Sequence, residues 1–224
     1  GTGLTDDLNQ VVANMMKDRV VSYDHHYGLW YDRRRDDHLM VRRADGNVAP
    51  PFYAQPFARS GKGTAWDGLS RYDLQTYNPW YWNRLHDFAR LCDQQGLVLF
   101  HQNYFQHNIL EAGAHWADSP WRPVNNMNQT TFPEPPPYIG DKRIFIAHLF
   151  YDTNNARHRE LHRAYIRQCL DNFSDCANVV QMTSAEYTGP VEFVQFWLDV
   201  IIQWQQDRNR TALVALSCPK DVQD

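Results

Sequence analysis

Hydrophobic positions recur along this chain with two different periods, and their alternation predicts the architecture. Residues 8–16 carry helical spacing, and the Val20-Val21-Ser22-Tyr23 run is too short for a helix and reads as a strand. Helical spacing returns over residues 78–95, where Trp82, Leu85, Phe88, Ala89 and Leu91 form a stripe that stops at Gly96, a residue suited to a helix C-terminus. Leu97-Val98-Leu99-Phe100 then reads as a strand that runs into a polar loop containing His101, Asn103 and His107. The same unit repeats. Residues 156–172 place Leu161, Ala164, Tyr165, Ile166 and Leu170 on or near one helical face, and Val179-Val180-Gln181-Met182 follows as a strand. Pro190 suits the first turn of a helix over residues 191–208, with Val194, Trp197, Leu198, Ile201, Ile202 and Trp204 on a broad apolar face. Residues 212–216 read as a further buried strand. Helix and strand in alternation mean parallel strands covered by helices.

The fold class is therefore α/β. A closed barrel of this kind takes eight strands and about 250 residues, whereas these 224 residues supply four. The chain reads as about half of a (β/α)8 TIM barrel, one partial catalytic domain over residues 1–224, with the remainder outside it. The apolar surface of such a half needs a partner, and the rest of its own barrel or polypeptide is the expected one. A complete four-strand α/β domain is the alternative. Two long insertions, at about residues 25–77 and 108–152, each follow a strand and so fall on one face, the face that carries catalysis in such barrels. Loops of that length without regular structure are functional or disordered, and their density of Trp, Tyr, His and Arg opposes disorder.

Composition narrows the partners. The formal charge of -4, with arginines interleaved among aspartates, provides no basic stripe for nucleic acid. No run approaches the roughly 20 apolar residues of a membrane span. Aromatic residues make up 14% of the chain, and many fall in the insertions, as a sugar-binding surface requires. Cys92, Cys169, Cys176 and Cys218 show no Cys-x-x-Cys spacing and read as packing residues.

Chemistry concentrates after the strand that ends at Met182. The sequence Thr183-Ser184-Ala185-Glu186-Tyr187-Thr188-Gly189-Pro190 carries an acid at a strand's C-terminal end, an aromatic beside it and a Gly-Pro turn. The first insertion begins within Asp24-His25-His26 and continues through Trp30, the Arg33-Arg34-Arg35 run and Trp66, while the second holds Trp116 and the proline-rich segment 133–138. Trp30, Trp66 and Trp116 are candidate sugar-stacking platforms. Arg34 and its neighbours are suited to clamping a uronic acid carboxylate, or to pairing with Asp32, Asp36 and Asp37. His101, Asn103 and His107 are placed to hydrogen-bond a sugar or to orient Glu186.

A Glu at the end of a strand with an aromatic just after it, preceded by a strand ending in His and Asn, resembles the clan A glycoside hydrolases. It also resembles large bacterial barrel proteins of polysaccharide degradation. In that clan the general acid/base is a Glu after the fourth strand and the nucleophile a second Glu after the seventh, so the resemblance implies that Glu186 is the acid/base. The clan usually has Asn directly before this Glu, and Ala185 stands there instead. What the resemblance implies is hydrolysis of a plant or microbial oligo- or polysaccharide, in a secreted or periplasmic protein. No cofactor is called for. Glycosidic hydrolysis needs two carboxylates, and the second would come from the missing half or, if the chain stands alone, from Asp24, Asp32, Asp36 or Asp37, of which Asp24 at the end of a strand is best placed. Asp24, His25, His26 and Tyr187 complete the candidate binding set. Two alternatives remain: a metal-dependent hydrolase using His25 or His26 with His101 and Asp24, and a non-catalytic glycan-binding barrel.

Overall fold

The computed structural model describes residues 7–26, 55–104, 106, 116, 119–134 and 146–223, with His26 described by its backbone alone. The candidates Trp30, Arg34 and His107 lie outside the described residues.

Helix α1 (Leu8–Lys17) starts where Asp7 accepts hydrogen bonds from the backbone of Asn9 and Gln10, satisfying donors that the first turn leaves open. It closes through Arg19, whose φ of 59 is left-handed, and through the Val20 N–H, which returns to the Met15 carbonyl at 2.9 Å. Val20 is thus consumed by a helix-ending motif, with Arg19 in the position usually taken by glycine. Strand β1 (Ser22–His26) consequently begins later than its apolar run predicts, and Val21 is left 75% exposed.

Strands β2 (Phe57–Arg59) and β3 (Tyr72–Tyr77) pair antiparallel, with a bulge between Phe57 and Ala58. The first insertion therefore contains regular structure where the sequence indicates only loop. Asn78 caps helix α2 (Pro79–Gln94), Pro79 enters its first turn, and Gly96 follows with φ 71. Strand β4 is Val98–Gln102, and a short helix α3 (Ala147–Phe150) precedes helix α4 (Ala156–Asn172), which Asn155 caps. Strand β5 (Val179–Met182) leads to helix α5 (Val191–Arg208), where Pro190 serves as the N-cap, one position before that expected. Strand β6 (Leu213–Ala215) and a short helix α6 (Lys220–Gln223) complete the described elements.

The strands β1, β4, β5 and β6 form one parallel sheet in that spatial order, so chain order and spatial order agree. Helices α1 and α2, α2 and α4, and α4 and α5 pack as successive neighbours. No closed barrel is present among the described residues.

Alternation along each strand assigns its side chains to opposite faces. Tyr23 meets Phe88 of α2 edge-on at 5.2 Å, and His101 lies 4.9 Å from the Phe173 ring just beyond α4, so Tyr23, His25, Leu99, His101, Val179 and Gln181 face the helices. Asp24, Phe100, Gln102, Val180 and Met182 take the other face. Strand β6 is not the buried strand expected. Leu213 and Val214 are 54% and 38% exposed, because β6 is the sheet edge and the helix that follows it has no buried residue.

The aromatics expected on a sugar-binding surface mostly build the core instead. Trp116 and Trp121 are buried, and Trp121 packs with Phe57, Tyr104, Phe132 and Phe150 at ring separations between 5.0 and 6.3 Å. The indole N–H of Trp116 donates to the Pro133 carbonyl at 3.2 Å, so the polar edge of a buried ring is satisfied.

Candidate functional site

The C-terminal ends of the parallel strands bring together side chains from segments far apart in sequence. Glu186 stands four residues beyond β5 and is exposed, with a backbone φ of 50. A left-handed conformation costs a non-glycine residue about 1–3 kcal/mol and persists only where its surroundings impose it. Here they do. The Glu186 N–H donates to Ser217 Oγ at 3.2 Å, the next N–H, of Tyr187, donates to the Ser217 carbonyl at 2.8 Å, and the Glu186 carbonyl accepts from Gln106 Nε2 at 3.5 Å. Gln106 follows β4 and Ser217 follows β6, so the Glu186 turn is held from both neighbouring strands.

Gln102, the last residue of β4, ties this turn to β1. Its Nε2 donates to Asp24 Oδ2 at 2.7 Å and its Oε1 accepts the Ala185 N–H at 2.8 Å. One amide therefore joins the Asp24 carboxylate to the backbone directly before Glu186. The two acids belong to strands separated by β4, or two inter-strand steps, about 10 Å between strand axes. Asp24 is exposed.

Tyr187 is placed differently from the expected ligand-contacting aromatic. Its ring is fully buried, its hydroxyl donates to the Pro190 carbonyl at 2.8 Å, and burial raises its pKa. Gly189 is required by this packing, since a Cβ there would stand 2.6 Å from Tyr187 Cζ and 2.7 Å from Tyr151 Cδ2.

His101 and Asn103 are likewise turned away from the surface. His101 is buried with its Nδ1 3.2 Å from both Gln181 Oε1 and Asn103 Nδ2, and burial pulls its pKa down to about 4 against the opposing effect of the Gln181 contact. Asn103 Oδ1 accepts from the Trp197 indole at 2.7 Å, its Nδ2 donates to Gln181 Oε1 at 2.8 Å, and its carbonyl accepts the Tyr165 hydroxyl at 2.7 Å. Both residues fasten β4 to the helices and present nothing to a ligand on the open face. His25 stacks on His101 at 5.6 Å with planes 10° apart, on the helix-facing side. Asp24 points the other way, so the His25, His101 and Asp24 set expected for a metal-dependent hydrolase does not converge. Trp116 is buried, whereas Trp66 is 40% exposed, its backbone N–H held by Asn125 Oδ1 at 2.9 Å.

Gln102, Gln106 and Ser217 were not evident in the sequence as site residues. Gln102 carried one usable signal, being a polar side chain two places beyond Phe100 and therefore on the same face of an apolar strand.

These features define an α/β protein with a parallel sheet whose strand ends position an exposed acid in a strained turn. The chain belongs to the DUF6298 family, described as a domain of unknown function, whose model matches residues 1–224. No curated protein matches it in sequence. No helix among the described residues is long and apolar enough to cross a membrane.

Proposed function

We propose that this chain is a portion of a (β/α) barrel glycoside hydrolase acting on a plant or microbial polysaccharide, with Glu186 as general acid/base. The observation that carries the reading is the Glu186 turn. An acid just beyond the C-terminal end of a parallel strand, exposed and on a backbone held left-handed by hydrogen bonds to residues after both flanking strands, supports that role. The sequential strand order supports a barrel portion, because a helix directly precedes each of β4, β5 and β6, and each of these strands pairs with the preceding strand of the sheet. The second carboxylate comes from Asp24 or from the remainder of the barrel. Trp66 serves as a stacking surface for a sugar ring, and the polymeric substrate places the protein outside the cytoplasm.

The test is release of reducing ends from a panel of plant and microbial polysaccharides by the whole protein, compared with its Glu186→Gln variant. Turnover should fall by orders of magnitude while polysaccharide binding survives. Near-wild-type turnover in the variant would remove Glu186 from the chemistry. Binding without turnover in either protein would favour a glycan-binding module.

A further inference from the structure

We propose that His86, Asp175 and Cys176 form a binding site for one zinc-like transition-metal ion, separate from the Glu186 site. His86 lies in the middle of α2, and Asp175 and Cys176 lie in the turn between α4 and β5. That turn enters β5 at its N-terminal end, whereas Glu186 lies beyond its C-terminal end.

The geometry is that of ligands around a small ion. His86 Nε2 stands 2.9 Å from Asp175 Oδ1, Cys176 Sγ stands 3.8 Å from the same oxygen, and all three donor atoms lie within 4.8 Å of one another. Tetrahedral zinc, with bonds of about 2.0–2.3 Å, sets its ligand atoms roughly 3.3–3.8 Å apart, so movements of about an ångström would complete the coordination. A His–Asp ion pair accounts for the first contact alone. The thiol of the adjacent Cys176 donates to that same oxygen at 3.8 Å, so a histidine from α2 and a thiol from the turn converge on one carboxylate.

The donor chemistry selects the ion. Imidazole, carboxylate and thiolate together suit zinc or cobalt, and the thiolate disfavours magnesium and calcium, which take oxygen ligands. The surroundings are negative at the sulfur, since Asp175 and Asp93 both act on Cys176 and only Arg90 opposes them. A bound dication reverses that balance and takes the sulfur as thiolate. The His86 and Asp175 side chains are 27% and 53% exposed, which leaves a path for entry, and water would fill the fourth position. The ion would staple α2 to the α4–β5 turn.

Titration of the intact chain with Co2+ tests this through near-ultraviolet thiolate-to-cobalt charge transfer. The expected result is one equivalent of Co2+, displaced by Zn2+, with a rise in Tm when Zn2+ is added. Cys176→Ser should abolish the band, His86→Gln should weaken affinity at least tenfold, and Cys218→Ser should leave both unchanged, with far-ultraviolet circular dichroism confirming that each variant is folded. Absence of a charge-transfer band in the wild-type protein, or a band that persists unchanged in both Cys176→Ser and His86→Gln, overturns the proposal.

Discussion

Asp24 and Gln102 face the same side of the parallel sheet and are joined by a 2.7 Å hydrogen bond across the β1–β4 pair. Because the other end of the same amide accepts the Ala185 N–H, the position of β1 is transmitted to the turn that carries Glu186. Replacing Gln102 by methionine removes both bonds while keeping a side chain of similar length. Hydrogen exchange at the Ala185 amide should then accelerate at least tenfold, and any hydrolytic turnover should fall more than stability does. An Ala185 amide as protected as in the wild type would show that the turn is held without Gln102.

The left-handed backbone of Glu186 predicts a trade between stability and function. Glu186→Gly relieves a conformation unfavourable to any residue with a Cβ and should raise stability by about 1 kcal/mol, measured by urea unfolding. Glu186→Gln keeps the strain and should leave stability within about 0.5 kcal/mol of wild type. If both variants unfold at the same urea concentration, the turn is not strained as described.

Gly189 tests the packing beneath that turn. Alanine there drives a methyl group into Tyr187 and Tyr151, both buried, so Gly189→Ala should cost about 3 kcal/mol and disturb near-ultraviolet circular dichroism from the tyrosines. A loss below about 0.5 kcal/mol would mean that the two rings move aside freely.

Acid should unfold the protein through its buried histidines. His101 is pulled down to about 4 and His162 to about 3, each chiefly by burial; His162 is held neutral between the Phe150 carbonyl at 3.0 Å and the Tyr104 hydroxyl at 2.8 Å. Both values lie below those of the unfolded chain, so the unfolded state binds protons first. Stability is fully present above about pH 6.5 and falls as pH drops toward 4, by up to about 1.4 kcal/mol per pH unit for each ring. Urea unfolding between pH 7 and pH 4.5 measures the slope. A flat profile would contradict the burial of these rings as neutral species.

Asn103 is the polar centre of the helix-facing side, and its loss should be costly. Asn103→Leu strands the Trp197 N–H and removes a donor from Gln181, for a loss of about 2–4 kcal/mol in unfolding free energy. An activity loss larger than the stability loss would instead restore Asn103 to the site.

Much of the order of elements was legible from local pattern. Helices α4 and α5 fall on their expected residues because their apolar spacing and caps are local properties, read within one or two turns of chain. The β2–β3 hairpin was legible only in part: Tyr72 and Leu74 alternate with Asp73 and Gln75 in β3, but β2 has three residues and no period, and Arg59 there is fixed by lying over the Tyr72 ring at 3.7 Å and by pairing with Asp67. Strand β1 was displaced because Val20 serves the end of α1, a use that composition does not distinguish from a strand residue.

The sequence by itself determined the alternation of helix and strand, the parallel class of the sheet and the placement of Glu186 beyond a strand's end. Each follows from periodicity and chain direction. Tertiary structure alone decided which polar residues face the helices and which the opposite side of the sheet. His25 and His101 turned to the helices while Asp24 and Gln102 took the opposite face, where Asp24 is exposed and Gln102 buried, and Asn103 was claimed by Trp197. A period of two assigns side chains to alternate faces, and only packing of the helices against one face decides which set meets them.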